Sequence, residues 1–77
     1  MHELSIAQAI VEMVTERAEG KRVTHVVLEI GKLAAVFPDA LRFGFEVASE
    51  GTSASGASLE VIETAGEELR VRQMEVV

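Results

Sequence analysis

Two apolar periods meet at Gly20, and together they restrict this chain to helix packed on sheet. Before it, Ile6, Ala7, Ile10, Val11, Val14 and Ala18 recur at helical spacing, while Glu12, Glu16, Arg17 and Glu19 lie off the stripe. After it, Val26, Leu28 and Ile30 alternate with His25, Val27 and Glu29, the two-residue period of a strand. The first pattern predicts a helix over 4–19, with Ser5 and Gln8 as a capping box and Gly20 as its stop. The second predicts a strand over 23–30, ended by Gly31-Lys32-Leu33.

The same logic carries to the end of the chain. Pro38 suits the first position of a second helix, whose apolar face is Leu41, Phe45 and Ala48. Gly44 inside it costs about 1 kcal/mol against Ala, which marks a close packing contact. Gly51 ends this helix. The small, polar run 51–57 reads as a mobile linker. Two more strands are predicted over 59–64 and 69–76, with Ala65-Gly66 as a tight hairpin turn between them. In the last strand Leu69 and Val71 are out of step with Met74 and Val76, and a β-bulge near Arg72-Gln73 would restore the phase. The expected fold is α+β: a three-stranded mixed sheet with two helices on one face, in the order α-β-α-β-β.

With 77 residues the chain is one domain, residues 1–77, near the lower limit for a self-sufficient core. It has no Cys, so it offers no disulfide, no thiolate nucleophile and no Cys-based metal site. This composition fits a cytoplasmic protein. The apolar runs are too short to span a bilayer, and no signal peptide precedes the first helix. A net charge of −6 with scattered basic residues argues against nucleic acid and anionic membranes as partners. The serines lack a neighbouring base and no phosphate loop of Walker type is present, so the reading is not an enzyme.

Chemistry concentrates at Met1-His2-Glu3. The Met1 amine, the His2 backbone nitrogen and the His2 ring Nδ1 can close five- and six-membered chelate rings on one metal. Such a near-planar nitrogen set suits Ni(II) or Cu(II). The bulky second residue favours retention of the initiator Met. The alternative is a solvated terminus. His25 reads as a strand residue on the less apolar face, and Glu12, Glu16 and Glu19 as a solvated helix side. Met13 and Met74 read as packing residues.

Several segments in this order resemble the HypA/HybF family of hydrogenase-maturation nickel chaperones. They are Met1-His2-Glu3-Leu4-Ser5-Ile6-Ala7, Leu28-Glu29-Ile30-Gly31-Lys32-Leu33 and Val36-Phe37-Pro38-Asp39-Ala40-Leu41-Arg42-Phe43-Gly44-Phe45. Ala57-Ser58-Leu59-Glu60-Val61-Ile62-Glu63 and Gly66-Glu67-Glu68-Leu69-Arg70-Val71-Arg72-Gln73-Met74-Glu75-Val76 complete the set. The resemblance implies Ni(II) held by Met1, His2 and Glu3, the last through its backbone nitrogen or as a weak outer carboxylate. It implies delivery into [NiFe]-hydrogenase, with a HypB-type GTPase and the hydrogenase large-subunit precursor as partners. A metal-independent adaptor docking on the same partners is the alternative. Family members also carry a zinc lobe held by two Cys-x-x-Cys pairs between the last two strands. Here that lobe is missing near 64–67, so no zinc is expected, and the chain is a monomer or a strand-swapped dimer.

Overall fold

The computed structural model describes residues 3–77. Helix α1 runs over Glu3–Ala18, strand β1 over Val23–Gly31, helix α2 over Pro38–Ser49, strand β2 over Ser58–Thr64 and strand β3 over Leu69–Val76. A 3-10 turn, Lys32–Ala34, follows β1. The predicted order α-β-α-β-β and the α+β class are both found. Ser5 is already inside α1, so it does not cap the helix. The helix stops where Glu19 and Gly20 take positive φ of 52° and 86°, a conformation that ends helices readily at Gly.

The sheet is mixed, as expected. β1 pairs with β2 in parallel and with β3 antiparallel, giving the order β2-β1-β3. This order overturns the hairpin. β2 and β3 occupy opposite edges, about two strand spacings or roughly 10 Å apart. Residues 65–68 therefore form a strap that crosses the end of β1. Gly31 N–H donates to Glu68 O at 2.7 Å, and Leu33 N–H to Gly66 O at 2.9 Å. The hairpin expectation rested on a short turn signal between apolar runs. Strand adjacency depends instead on which edge of β1 each strand finds.

Gly31 has ordinary extended φ, −75°. It is needed for space: a Cβ there would strike Gly66 O and C and lie 2.7 Å from Glu67 N. The bulge in β3 is present. Val27 lies opposite Gln73 and Leu28 opposite Val71, leaving Arg72 as the extra residue.

Both helices pack on one face. Ala7, Ile10, Val11, Val14 and Ala18 of α1 meet Leu41 and Phe45 of α2 over Val23, Val26, Leu28 and Ile30 of β1. A Cβ at Gly44 would lie 3.2 Å from Ala7 Cβ and 3.3 Å from Leu4 Cα, so this glycine does mark the close approach of α1. The run 51–57 is not a linker. It is a series of hydrogen-bonded turns, with Ala54 fully buried and Ser53 O accepting Val23 N–H at 2.9 Å. Burial of one small side chain from a Gly/Ser-rich run is a tertiary event that composition does not report.

Candidate metal centre

Of the three residues read as ligands, Met1 and His2 lie outside the described residues. Glu3 opens α1, and its carboxylate is engaged: Oε2 accepts the Phe37 N–H at 3.1 Å. Phe37 is the residue before α2 and carries no side-chain cap of its own. Glu3 thus supplies a charged acceptor at the start of α2, where the helix dipole favours a negative group. Tight packing of Gly44 against Leu4 Cα and Glu3 O brings the two helices together at the same place. The first turn of α1 is fixed against α2 from both its side chain and its backbone.

His25 is on the other side of the sheet. Its Nδ1 bonds to Ser58 Oγ, and its Nε2 lies 3.1 Å from Glu60 Oε1. Residues paired across a sheet share a face, and the open face carries His25, Val27 and Glu29 while the helices cover the reverse. The structure does not bring His25 and Glu3 together, and His25 is a satisfied strand residue as read. Among the described residues no group of three or more His, Cys, Asp or Glu side chains could hold a metal ion.

Sequence reasoning missed the ion-pair cluster on the open face. Glu29, with a side chain 12% exposed, accepts Arg70 Nε at 2.6 Å, and Arg72 Nη1 lies 3.7 Å from its other oxygen. The adjacent Glu29 raises the affinity of Arg70 for its proton, through the hydrogen bond first and charge second. At the strap, Glu68 Oε1 accepts the Thr64 hydroxyl at 2.9 Å. Its own backbone amide and then Thr64 hold the Glu68 carboxyl below its usual range; burial opposes them less strongly, and the Arg70 charge adds a still smaller lowering. The available signal was the parity of Glu29, Arg70 and Arg72 on strands that come to pair.

The comparisons agree with this architecture. A protein from Nostoc punctiforme named hydrogenase maturation factor HypA is 53% identical over 66 residues, covering 86% of this chain and 58% of that protein. One of the same name from Geobacter sulfurreducens is 51% identical over 61 residues, covering 79% of this chain and 56% of that protein. The chain thus spans little more than half the length of the curated relatives it matches. The solution structure of the Ni metallochaperone HypA from Helicobacter pylori superposes with a TM-score of 0.72 at 15% identity, covering 100% of this chain and 94% of that one. That likeness shows the fold. The family described as "Hydrogenase/urease nickel incorporation, metallochaperone, hypA" matches residues 1–69, and on that match and those identities the chain belongs to the HypA family.

Proposed function

We propose that this chain is a nickel metallochaperone domain that binds Ni(II) as cargo at Met1, His2 and Glu3 and delivers it into [NiFe]-hydrogenase during maturation. The observation that carries the reading is the family match from residue 1 onward, which includes Met1-His2-Glu3. The described part of the site supports it. Glu3 uses its carboxylate to hold Phe37 N–H, which favours its backbone nitrogen, rather than its side chain, as the metal donor. α1 is anchored to α2 at this point, so Glu3, the described member of the donor set, is held in place. A chain end can exchange ligands readily, as transfer requires.

A HypB-type GTPase and the hydrogenase large-subunit precursor are the partners on this reading. On the same reading the strap over 65–68 takes the place of the zinc lobe that the family resemblance implies between the last two strands. The metal-independent adaptor is the second reading, favoured by Phe37 and Phe43, exposed at 73% and 68%. Exposed aromatic side chains of this size are common anchors in interfaces.

Nickel titration of the parent chain, His2→Ala and His25→Ala separates the readings. The parent should take up one Ni(II) with a diamagnetic, square-planar signature, since amide nitrogens impose a strong field. His2→Ala should lose it with the fold intact, and His25→Ala should retain it. Equal uptake by parent and His2→Ala would overturn the site, and no specific uptake by the parent would leave the adaptor.

A further inference from the structure

The outer edge of β3 is matched to itself. Among the described residues nothing pairs with that edge, since β1 lies on the other side of the strand. Unpaired strand edges are templates for another strand, and this one has an unusual phase. Opposite Ile30, Leu28, Val26 and Val23 stand Leu69, Val71, Met74 and Val76, so these four share the helix-covered face. Opposite Glu29, Val27 and His25 stand Arg70, Gln73 and Glu75, which share the open face. The backbone follows the same division. Gly31 N–H bonds to Glu68 O and Val77 N–H to Arg22 O. In an antiparallel ladder the inward-bonding residues alternate. Glu68, Arg70, Glu75 and Val77 therefore face β1, and Leu69, Val71, Met74 and Val76 direct their amides outward. The bulge at Arg72 makes this set symmetric about the midpoint between Arg72 and Gln73.

We infer that two copies of this chain pair antiparallel through β3, with Leu69 opposite Val76, Arg70 opposite Glu75 and Val71 opposite Met74 of the second copy. Only about that midpoint do all four outward-facing residues meet outward-facing residues. The same register sets Arg70 against Glu75 twice on the open face and apolar against apolar on the helix face. Leu69 and Val76, exposed at 39% and 40%, become covered. A groove between α1 and β3, lined by Met13, Val14 and Arg17 on one side and residues 71–74 on the other, runs beside the edge, and the second copy's Met74 comes to rest along it. Arg72 stands at the axis, where its own Glu29 at 3.7 Å offsets the meeting of two like charges. The contact joins two strands and little else, so the pair is weak and is sought from micromolar to millimolar concentration.

The test is amide exchange of the 77-residue chain by NMR, read against concentration, with sedimentation for mass. Protection at Leu69, Val71, Met74 and Val76 should rise as the dimer fills, while Arg70 and Glu75, bonded to β1 already, stay constant. Glu75→Arg should weaken the dimer about tenfold by setting like charges opposite. Mixing it with Arg70→Glu should restore association, because both cross-strand pairs are again opposite in sign. A monomer throughout the range overturns the proposal. So does a dimer whose protection appears in β2, or one that dissociates only on unfolding, since the latter exchanges β3 between copies. Should Arg70→Glu fail to fold, the amide pattern of the parent still decides.

Discussion

Gly31→Ala tests the strap most directly, because the backbone at Gly31 already suits any residue and only space is at issue. The new methyl group would lie 2.7 Å from Glu67 N, where ordinary contact begins at 3.4 Å, and nearer still to Gly66. Relieving the Glu67 contact alone takes a strap movement of about 0.7 Å, and the nearer Gly66 contacts take more. Two hydrogen bonds stand in the way of that movement, Gly31 N–H to Glu68 O and Leu33 N–H to Gly66 O. Weakening both costs roughly 1–2 kcal/mol, and overpacking adds about 1–2 kcal/mol. The expected loss is therefore about 2–4 kcal/mol. For a domain of this size that lowers Tm by roughly 10–25 °C. Urea unfolding followed by far-UV circular dichroism should show a lower midpoint at unchanged slope. A loss below about 0.5 kcal/mol would refute the reasoning, since it would mean that 65–68 is not held against β1.

Three further outcomes follow from described contacts and from the proposed site. Arg70→Ala should lower the melting temperature, because Glu29, with its side chain largely buried, keeps only the longer contact to Arg72; Glu29→Gln should lower it less, and thermal melts order the two. Glu68 has its carboxyl lowered by its backbone amide, Thr64 and Arg70, so folding favours the charged form. Its contribution is full at neutral pH and is lost as acidification passes through the folded-state value, and Glu68→Gln should flatten that part of the acid-unfolding profile. Acetylation of the N-terminus should abolish nickel uptake as His2→Ala does, and uptake by the native terminus should fall as pH drops; equal nickel affinity of the acetylated chain would remove the amine from the donor set.

Much of the fold was legible because periodicity is local. The stripe Ile10, Val11, Val14 and Ala18, the alternation Val26, Leu28 and Ile30, and the phase slip at Arg72 each sit within one element, and each is found. Two readings failed where long-range neighbours decide. Ala65-Gly66 has the composition of a hairpin turn, yet the strands it joins never meet. Residues 51–57 have the composition of a spacer, yet Ala54 is wholly buried. The site divides the same way. Glu3 was legible as a position beside the terminal chelate, but its bond to Phe37 spans 34 positions and no short motif encodes it.

The order β2-β1-β3 also sets when this domain is able to fold. β1 is the central strand, and one of its two partners, β3, follows both helices and β2 in sequence, with Val23 opposite Val76. A nascent chain that has completed both helices and β2 still shows β1 with one side bare, and that side belongs to the strand carrying Val26, Leu28 and Ile30. Such an edge accepts a wrong partner as readily as the right one. Sheet closure therefore waits on β3, the last of the three strands in sequence, and joins Val23 to Val76 across all the elements between them, which slows that step and lengthens exposure to aggregation. Synthesis that stalls shortly before Leu69 would leave the sheet open on β1.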